Sequence, residues 1–154
     1  MGRQLPTAEQ LRIWRDFIET AEALRSELAA RLQRESSLSP GDYTVLLALS
    51  EAPAERMRSS ELAAIIGWER SRLSHHLARM ERRGLIRREE CATDNRGAEV
   101  VLAPAGDEAF RRATVPHLRA VRELFVDALT PDQLAAAGEL AAAVRTHLDT
   151  YRKG

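Results

Sequence analysis

Two short helix-forming runs meet at one glycine between Ser59 and Arg83, and few folds accept that arrangement. The first, "SSELAAIIG", opens on Ser59, a residue type suited to capping a helix, and closes on Gly67, which can take the left-handed conformation. The second, "ERSRLSHHLARMERRG", spaces Leu73, Leu77 and Met80 by four and then three residues. At about 3.6 residues per turn these make one narrow apolar stripe. Ser71, His75 and Arg82 fall on the opposite side, flanked by Arg72 and Arg79. Gly84 ends this helix as Gly67 ended the first. The pattern is a helix-turn-helix, with its second helix predicted over about 69–83.

The following residues add a β-hairpin. "LIRREEC" and "AEVVLAP" have β character and flank the polar loop "ATDNRG", so a hairpin is predicted over about 85–102. Helix-turn-helix plus hairpin is a winged helix-turn-helix, and the hairpin is its wing. Long helices flank this lobe. Ile13, Phe17, Leu24, Leu28 and Leu32 recur at helical spacing from about Thr7 to Arg34. Ser39, Pro40 and Asp42 spell a capping box with proline at the first helical position, for a helix ending near Glu51. After the wing, one helix starts at Pro104, with a kink expected at Pro116. Another opens on Thr130, Pro131 and Gln133 and runs to about Tyr151. The predicted fold is mainly α with a small β-hairpin, an α+β winged helix-turn-helix between long N- and C-terminal helices. Leu118, Val121, Leu124, Phe125, Leu134, Leu140, Val144 and Leu148 are more apolar surface than a small lobe can cover. A two-fold dimer is the simplest way to bury them.

Net charge is zero over the 154 residues, but it is unevenly placed. Residues 56–96 hold ten Arg against six Asp and Glu, leaving the rest of the chain acidic by the same excess of four. A basic middle between acidic ends is an electrostatic footprint that the whole-chain balance hides. Of 23 basic residues only Lys153 is Lys. Arg favours bidentate contacts to phosphate and guanine, although GC-rich codon usage also raises its count. No apolar run reaches the length of a membrane span, and "MGRQLPTAEQ" lacks the apolar core of a signal peptide. A single cysteine, Cys91, forms no internal disulfide, so a reducing cytoplasm is expected. There is no Gly-rich phosphate loop, no Gly-x-Ser-x-Gly and no metal-spaced His pair, so no enzyme, no cofactor and no metal are expected.

On its motifs the chain resembles the MarR family of winged helix-turn-helix regulators. The wing segment "DNRGAEVVLAPAG" follows that family's pattern at Asp94, Arg96, Val100, Leu102 and Gly106. "SSELAAIIG", "MERRGLIRR" and "LFVDALTPDQL" are similar to family segments in the same order. Ala103 and Glu69 depart from it: the family often has Ser or Thr at the first and a small polar residue at the second. The resemblance implies a homodimer, with 1–36 and 104–154 as dimerisation helices around a DNA-binding lobe at 39–103 in a single domain, 1–154. It implies a transcriptional regulator, a repressor released by a small ligand, bound to double-stranded DNA at a pseudo-palindromic operator. Family contacts carry over to Ser71, Arg72, His75, His76 and Arg79 on the recognition helix. Asp94 and Arg96 take the wing roles, the Asp bracing the Arg, beside Asn95. Ser59 and Ser60 complete the candidate DNA-contacting set.

Several residues carry a plainer reading as well. Adjacent His75 and His76 point about 100° apart on a helix, so they are poorly placed to share an ion. His76 lies near the apolar stripe, where packing competes with DNA contact. Cys91 at a strand end reads as a buried filler. Trp14, Phe17 and Tyr43 are candidate lining of a site for a small aromatic or anionic effector, and are equally core residues. Two alternatives stand beside the regulator. One is a winged-helix protein-interaction module using its basic face on an acidic partner; the other is a metal-sensing repressor.

Overall fold

The computed structural model describes residues 5–90 and 97–153. Six α-helices and three strands run in the order α1 (Ala8–Ser36), α2 (Pro40–Ser50), β1 (Arg56–Arg58), α3 (Ser59–Ile66), α4 (Arg70–Arg82), β2 (Ile86–Glu90), β3 (Ala98–Leu102), α5 (Pro104–Val121) and α6 (Pro131–Lys153) among the described residues. The fold is mainly helical, with a small antiparallel sheet, in the winged helix-turn-helix arrangement. The chain divides into two compact units, Met1–His117 and Leu118–Gly154.

Helix starts follow the local chemistry. Thr7 and Gln10 form a full capping box at the head of α1, as Ser39 and Asp42 do for α2 and Thr130 and Gln133 for α6. At α3 the structure departs from expectation. Ser59 is the first helical residue, Arg58 occupies the cap position, and no side chain caps the helix. Arg56–Arg58 is extended and pairs with β3, and the helix begins at the first residue after that pairing. The sheet order is β1-β3-β2, with Met57 opposite Val100 and Ile86 opposite Leu102. Gly67 and Gly84 close α3 and α4 at φ of 69° and 73°. A side chain at either would be strained there.

α5 carries Pro116 in its interior. It runs through Pro116 as one helix, and the irregular geometry comes later, as a π-helical turn at Arg122–Val126. In the second unit, nearly every described side chain of α6 is exposed.

In the first unit, Leu38, Leu46, Leu49, Leu62, Leu73, Leu77, Met80, Ile86 and Val100 are fully buried in one core. A charged group is buried beside them. Asp42 is 2% exposed. Its Oδ2 accepts from the Ser39 backbone N–H at 2.9 Å and from Arg83 Nη1 at 2.7 Å. Arg83 Nη2 donates to the Ser37 carbonyl at 2.9 Å. Burial alone would raise the Asp42 carboxyl, but the Arg83 hydrogen bond, the Ser39 N–H and the nearby positive charge hold it below the usual carboxylate range. Asp42 thus caps α2 and anchors the C-terminal end of α4.

Ser39→Ala, which removes one cap oxygen, should cost about 1 kcal/mol. Asp42→Ala removes the reciprocal cap and the Arg83 acceptor together and should cost about 2–4 kcal/mol. Urea unfolding of both variants measures the difference, and equal costs would show that the Arg83 link contributes nothing.

Candidate nucleic-acid interface

α4 divides its side chains as its spacing requires. Leu73, Leu77 and Met80 are buried, while Ser71, Arg72, His75, Arg79 and Arg82 are exposed. Arg70, Arg72, Arg79 and Arg82 form no ion pair among the described residues. The hairpin arginines are different. Arg88 makes a forked contact to Glu81 at 2.9 and 2.7 Å and also gives its backbone N–H to it, tying β2 to α4. The same Arg88 contacts hold Glu81 below the usual carboxylate range. Arg56 is paired with Glu89 and Glu99, and Arg87 with Glu89. Among the described residues of the helix-turn-helix and hairpin, the unneutralised positive charge therefore lies on α4.

Ser60 is exposed and Ser59 half-buried at the head of α3. They line a hollow of about 240 Å³ with Arg70, Ser74, Arg88 and Gly97. Neither α3 nor α4 has a side-chain cap, so their first-turn N–H groups face outward without a side-chain acceptor. Glu69 sits at the α4 cap position, where its carbonyl accepts from the Leu73 N–H but its side chain makes no cap bond. A helix start of this kind suits phosphate, through both free donors and the dipole.

His76 departs from the DNA-contacting set read from the sequence. It is 9% exposed, with its ring turned inward to α2. Its Nδ1 accepts from Arg79 Nη2 at 3.0 Å. Its Nε2 lies 3.0 Å from Asp42 Oδ1, close enough for charge attraction but too far off line for a hydrogen bond. Burial pushes the imidazole below its ordinary value near 6.5; Asp42 opposes that shift and Arg79 adds to it. The arrangement fits a neutral ring with its proton on Nε2. Periodicity had placed His76 at the edge of the apolar stripe; the carboxylate waiting inside was invisible to it.

Trp68, which no sequence motif had singled out, also belongs to this surface. The Arg72 Cζ lies 4.1 Å from its ring centroid, and the His76 ring stands edge-on to it at 5.2 Å and 88°. Its signal in the sequence was faint: an aromatic four residues before an arginine, across a helix start. Asp94, Asn95, Arg96 and Cys91 lie outside the described residues. No cluster of three or more His, Cys, Asp or Glu suited to a metal occurs among the described residues. No described helix is long and apolar enough to cross a membrane.

A second concavity lies elsewhere in the first unit. It holds about 310 Å³ and is lined by α1 (Glu22, Arg25, Ser26, Leu28, Ala29, Leu32), by Pro40, Tyr43 and Thr44 of α2, and by His117. Tyr43 packs on Phe110 and His117 at centroid distances of 5.2 and 4.6 Å. His117 Nδ1 is buried without a hydrogen-bond partner, and burial pushes its ring below the ordinary imidazole value. Of the three aromatics proposed from sequence, only Tyr43 lines this space. Trp14 and Phe17 are 60% and 54% exposed on α1.

Known proteins bear directly on this geometry. A family model described as the MarR family matches residues 36–97. AbsC, a MarR family transcriptional regulator from Streptomyces coelicolor, is 35% identical, with 96% of this chain and 99% of that one covered at a TM-score of 0.88. Sco3205, a MarR family transcriptional regulator from the same organism solved in complex with DNA, is 40% identical, covering 95% and 92% at a TM-score of 0.88. The PcaV regulator of Streptomyces coelicolor, solved with its natural ligand, shares the fold at 21% identity, 95% and 98% coverage and a TM-score of 0.71. A comparison with curated proteins returns no significant match.

The folded His76 titrates below 6.5, so the unfolded chain takes up its proton first as pH falls. Stability should therefore be full above about pH 7 and decline from about pH 6.5 downward, with Asp42 adding a further loss only near the carboxylate range. The urea midpoint should drop between about pH 7.5 and 5.5. His76→Gln should flatten that drop, leaving the part due to His117. A variant with the wild-type slope would show that His76 is not the titrating group.

Proposed function

The chain belongs to the MarR family of transcriptional regulators, and from that premise we propose that it is a homodimeric repressor which reads a pseudo-palindromic operator and is released by a small ligand. The observation that carries the DNA-reading part is the outer face of α4. Among the described residues, four arginines there have no carboxylate to neutralise them, on a helix whose other face is locked into the core. In this reading α4 enters the major groove, and Ser71, Arg72, His75 and Arg79 reach base edges or phosphates. Ser59, Ser60 and Arg70 hold backbone phosphate at the helix starts. The wing, with Asp94, Asn95 and Arg96 at its tip, enters the minor groove beside it.

Exposed apolar residues support the dimer. On α1 these are Leu11, Ile13, Trp14, Phe17 and Ile18; on α6 they are Leu134, Leu140, Val144, Leu148 and Tyr151. On α6 the last four recur every three or four residues, a single apolar face. The proposed dimerisation segments are accordingly residues 1–36 and 104–154, around a DNA-binding lobe at 39–103. The cavity beside Tyr43 supports the ligand part. Arg25 and the unpartnered His117 Nδ1 suit an anionic or hydrogen-bonding group, and Tyr43 suits an aromatic ring.

Sedimentation at micromolar concentration should give twice the 17.2 kDa chain mass, and a stable monomer would overturn the dimer. Selecting bound duplexes from a random pool should return a palindrome preferred over random sequence by about a thousandfold or more. Arg72→Ala and His75→Ala should each relax that preference by about 1–3 kcal/mol at particular base pairs. Binding that ignores sequence would reject the operator reading and favour an acidic protein partner for the same face.

A further inference from the structure

An arginine that reads a base pair must be aimed. Free in solution, its guanidinium samples many rotamers, and fixing one of them on binding opposes recognition. Arg72 is exposed, yet its guanidinium lies over an indole at 4.1 Å. Stacking engages only the face of the guanidinium; its N–H donors lie in the plane and stay free to bond a base edge. A stacked arginine is thus ordered before DNA arrives and still able to donate.

The platform beneath it is itself fixed. The Trp68 backbone N–H bonds the Ala63 carbonyl at 3.0 Å, directly after the left-handed Gly67. The ring is half-buried against the core, with the His76 ring edge-on to it. Its far edge meets α2 at Gly41, where an added Cβ would come within 2.8 Å of Trp68 Cη2 and of His76 Cε1. Only glycine lets α2 approach that closely. The indole is therefore held from several sides, and its outer face is the surface that Arg72 occupies.

We propose that Trp68 is a specificity-determining positioning residue, which holds the Arg72 guanidinium in the orientation that α4 presents to a base pair. This rests on the reading of Arg72 as a base-contacting residue. Trp68 acts through Arg72 and need not touch DNA. Its contribution should therefore appear in discrimination between sequences, whereas a residue that only filled space would change affinity for every duplex alike.

The test measures binding of wild type, Trp68→Leu, Trp68→Phe, Arg72→Ala and the Trp68→Leu/Arg72→Ala double variant. Each is titrated with the selected operator, its single-base-pair variants and a random duplex, and melting temperatures are recorded alongside. Trp68→Leu should lower the operator-to-variant ratio by roughly 3- to 10-fold at the base pairs where Arg72→Ala does, with random-duplex affinity kept within about twofold. Trp68→Phe, which keeps a weaker aromatic face, should fall between, and it carries the test if the Leu variant does not fold. The double variant should discriminate no worse than Arg72→Ala alone. The proposal is overturned if Trp68→Leu keeps the ratio, tightens operator binding, weakens all duplexes by one factor, or worsens discrimination without Arg72. If Arg72→Ala leaves the ranking unchanged, the base-contact reading itself falls, and the positioning role with it. If Arg72→Ala collapses the ranking and Trp68→Leu does not, only the positioning role falls.

Discussion

A buried carboxylate governs how the helix-turn-helix is assembled. Asp42 gives one oxygen both to the first turn of its own helix and to Arg83 at the end of α4, and turns the other toward His76 in the middle of α4. A lone buried charge of this kind would be strongly unfavourable; here every strong neighbour is a donor or a cation. The result is a polar clasp between α2 and α4 inside an otherwise apolar interface. Leu, Val and Met contacts along α4 give adhesion but little directional preference. The clasp fixes rotation about the helix axis, because Arg83 and His76 must both face one carboxylate. Which residues of α4 end up outside follows from that rotation.

The first turn of α2 has two sides. Asp42 faces α4, while Pro40, Tyr43 and Thr44 line the cavity beside α1. One helical turn is thus shared by the concavity and by the anchor of α4. Charge is partitioned with similar economy. The hairpin and β1 arginines are spent on Glu81, Glu89 and Glu99, which stitch the sheet to itself and to α4. Arg70, Arg72, Arg79 and Arg82 of α4 have no ion pair among the described residues.

Features that depend on neighbours in sequence were legible from the chain alone. Capping boxes at Ser39 and Thr130, left-handed glycines at 67 and 84, and the buried Leu73, Leu77 and Met80 are all consequences of spacing over a few residues. Features that depend on a distant partner were not. Ser59 looked like a cap, but Arg56–Arg58 pairs with β3 and the helix begins directly after it, at Ser59. The π-helical turn at 122–126 had no signal along the chain. His76 looked usable on the outside because no pattern along α4 announces an aspartate on another helix, more than thirty residues earlier. Trp68 was silent for the same reason, since its meaning lies in Arg72, His76 and Gly41 together.

α6 is 23 residues long, and its apolar residues Leu134, Leu140, Val144 and Leu148 are left 37–49% exposed. Its alanines favour helix, but propensity alone leaves an isolated helix marginal in water. In the proposed dimer the partner would cover that face, so that folding of the C-terminal helix and association become one equilibrium rather than two. Its thermal stability is then a property of protein concentration as much as of sequence, rising with every increase in the amount of chain in the cell. A polar substitution on its apolar face would act like dilution.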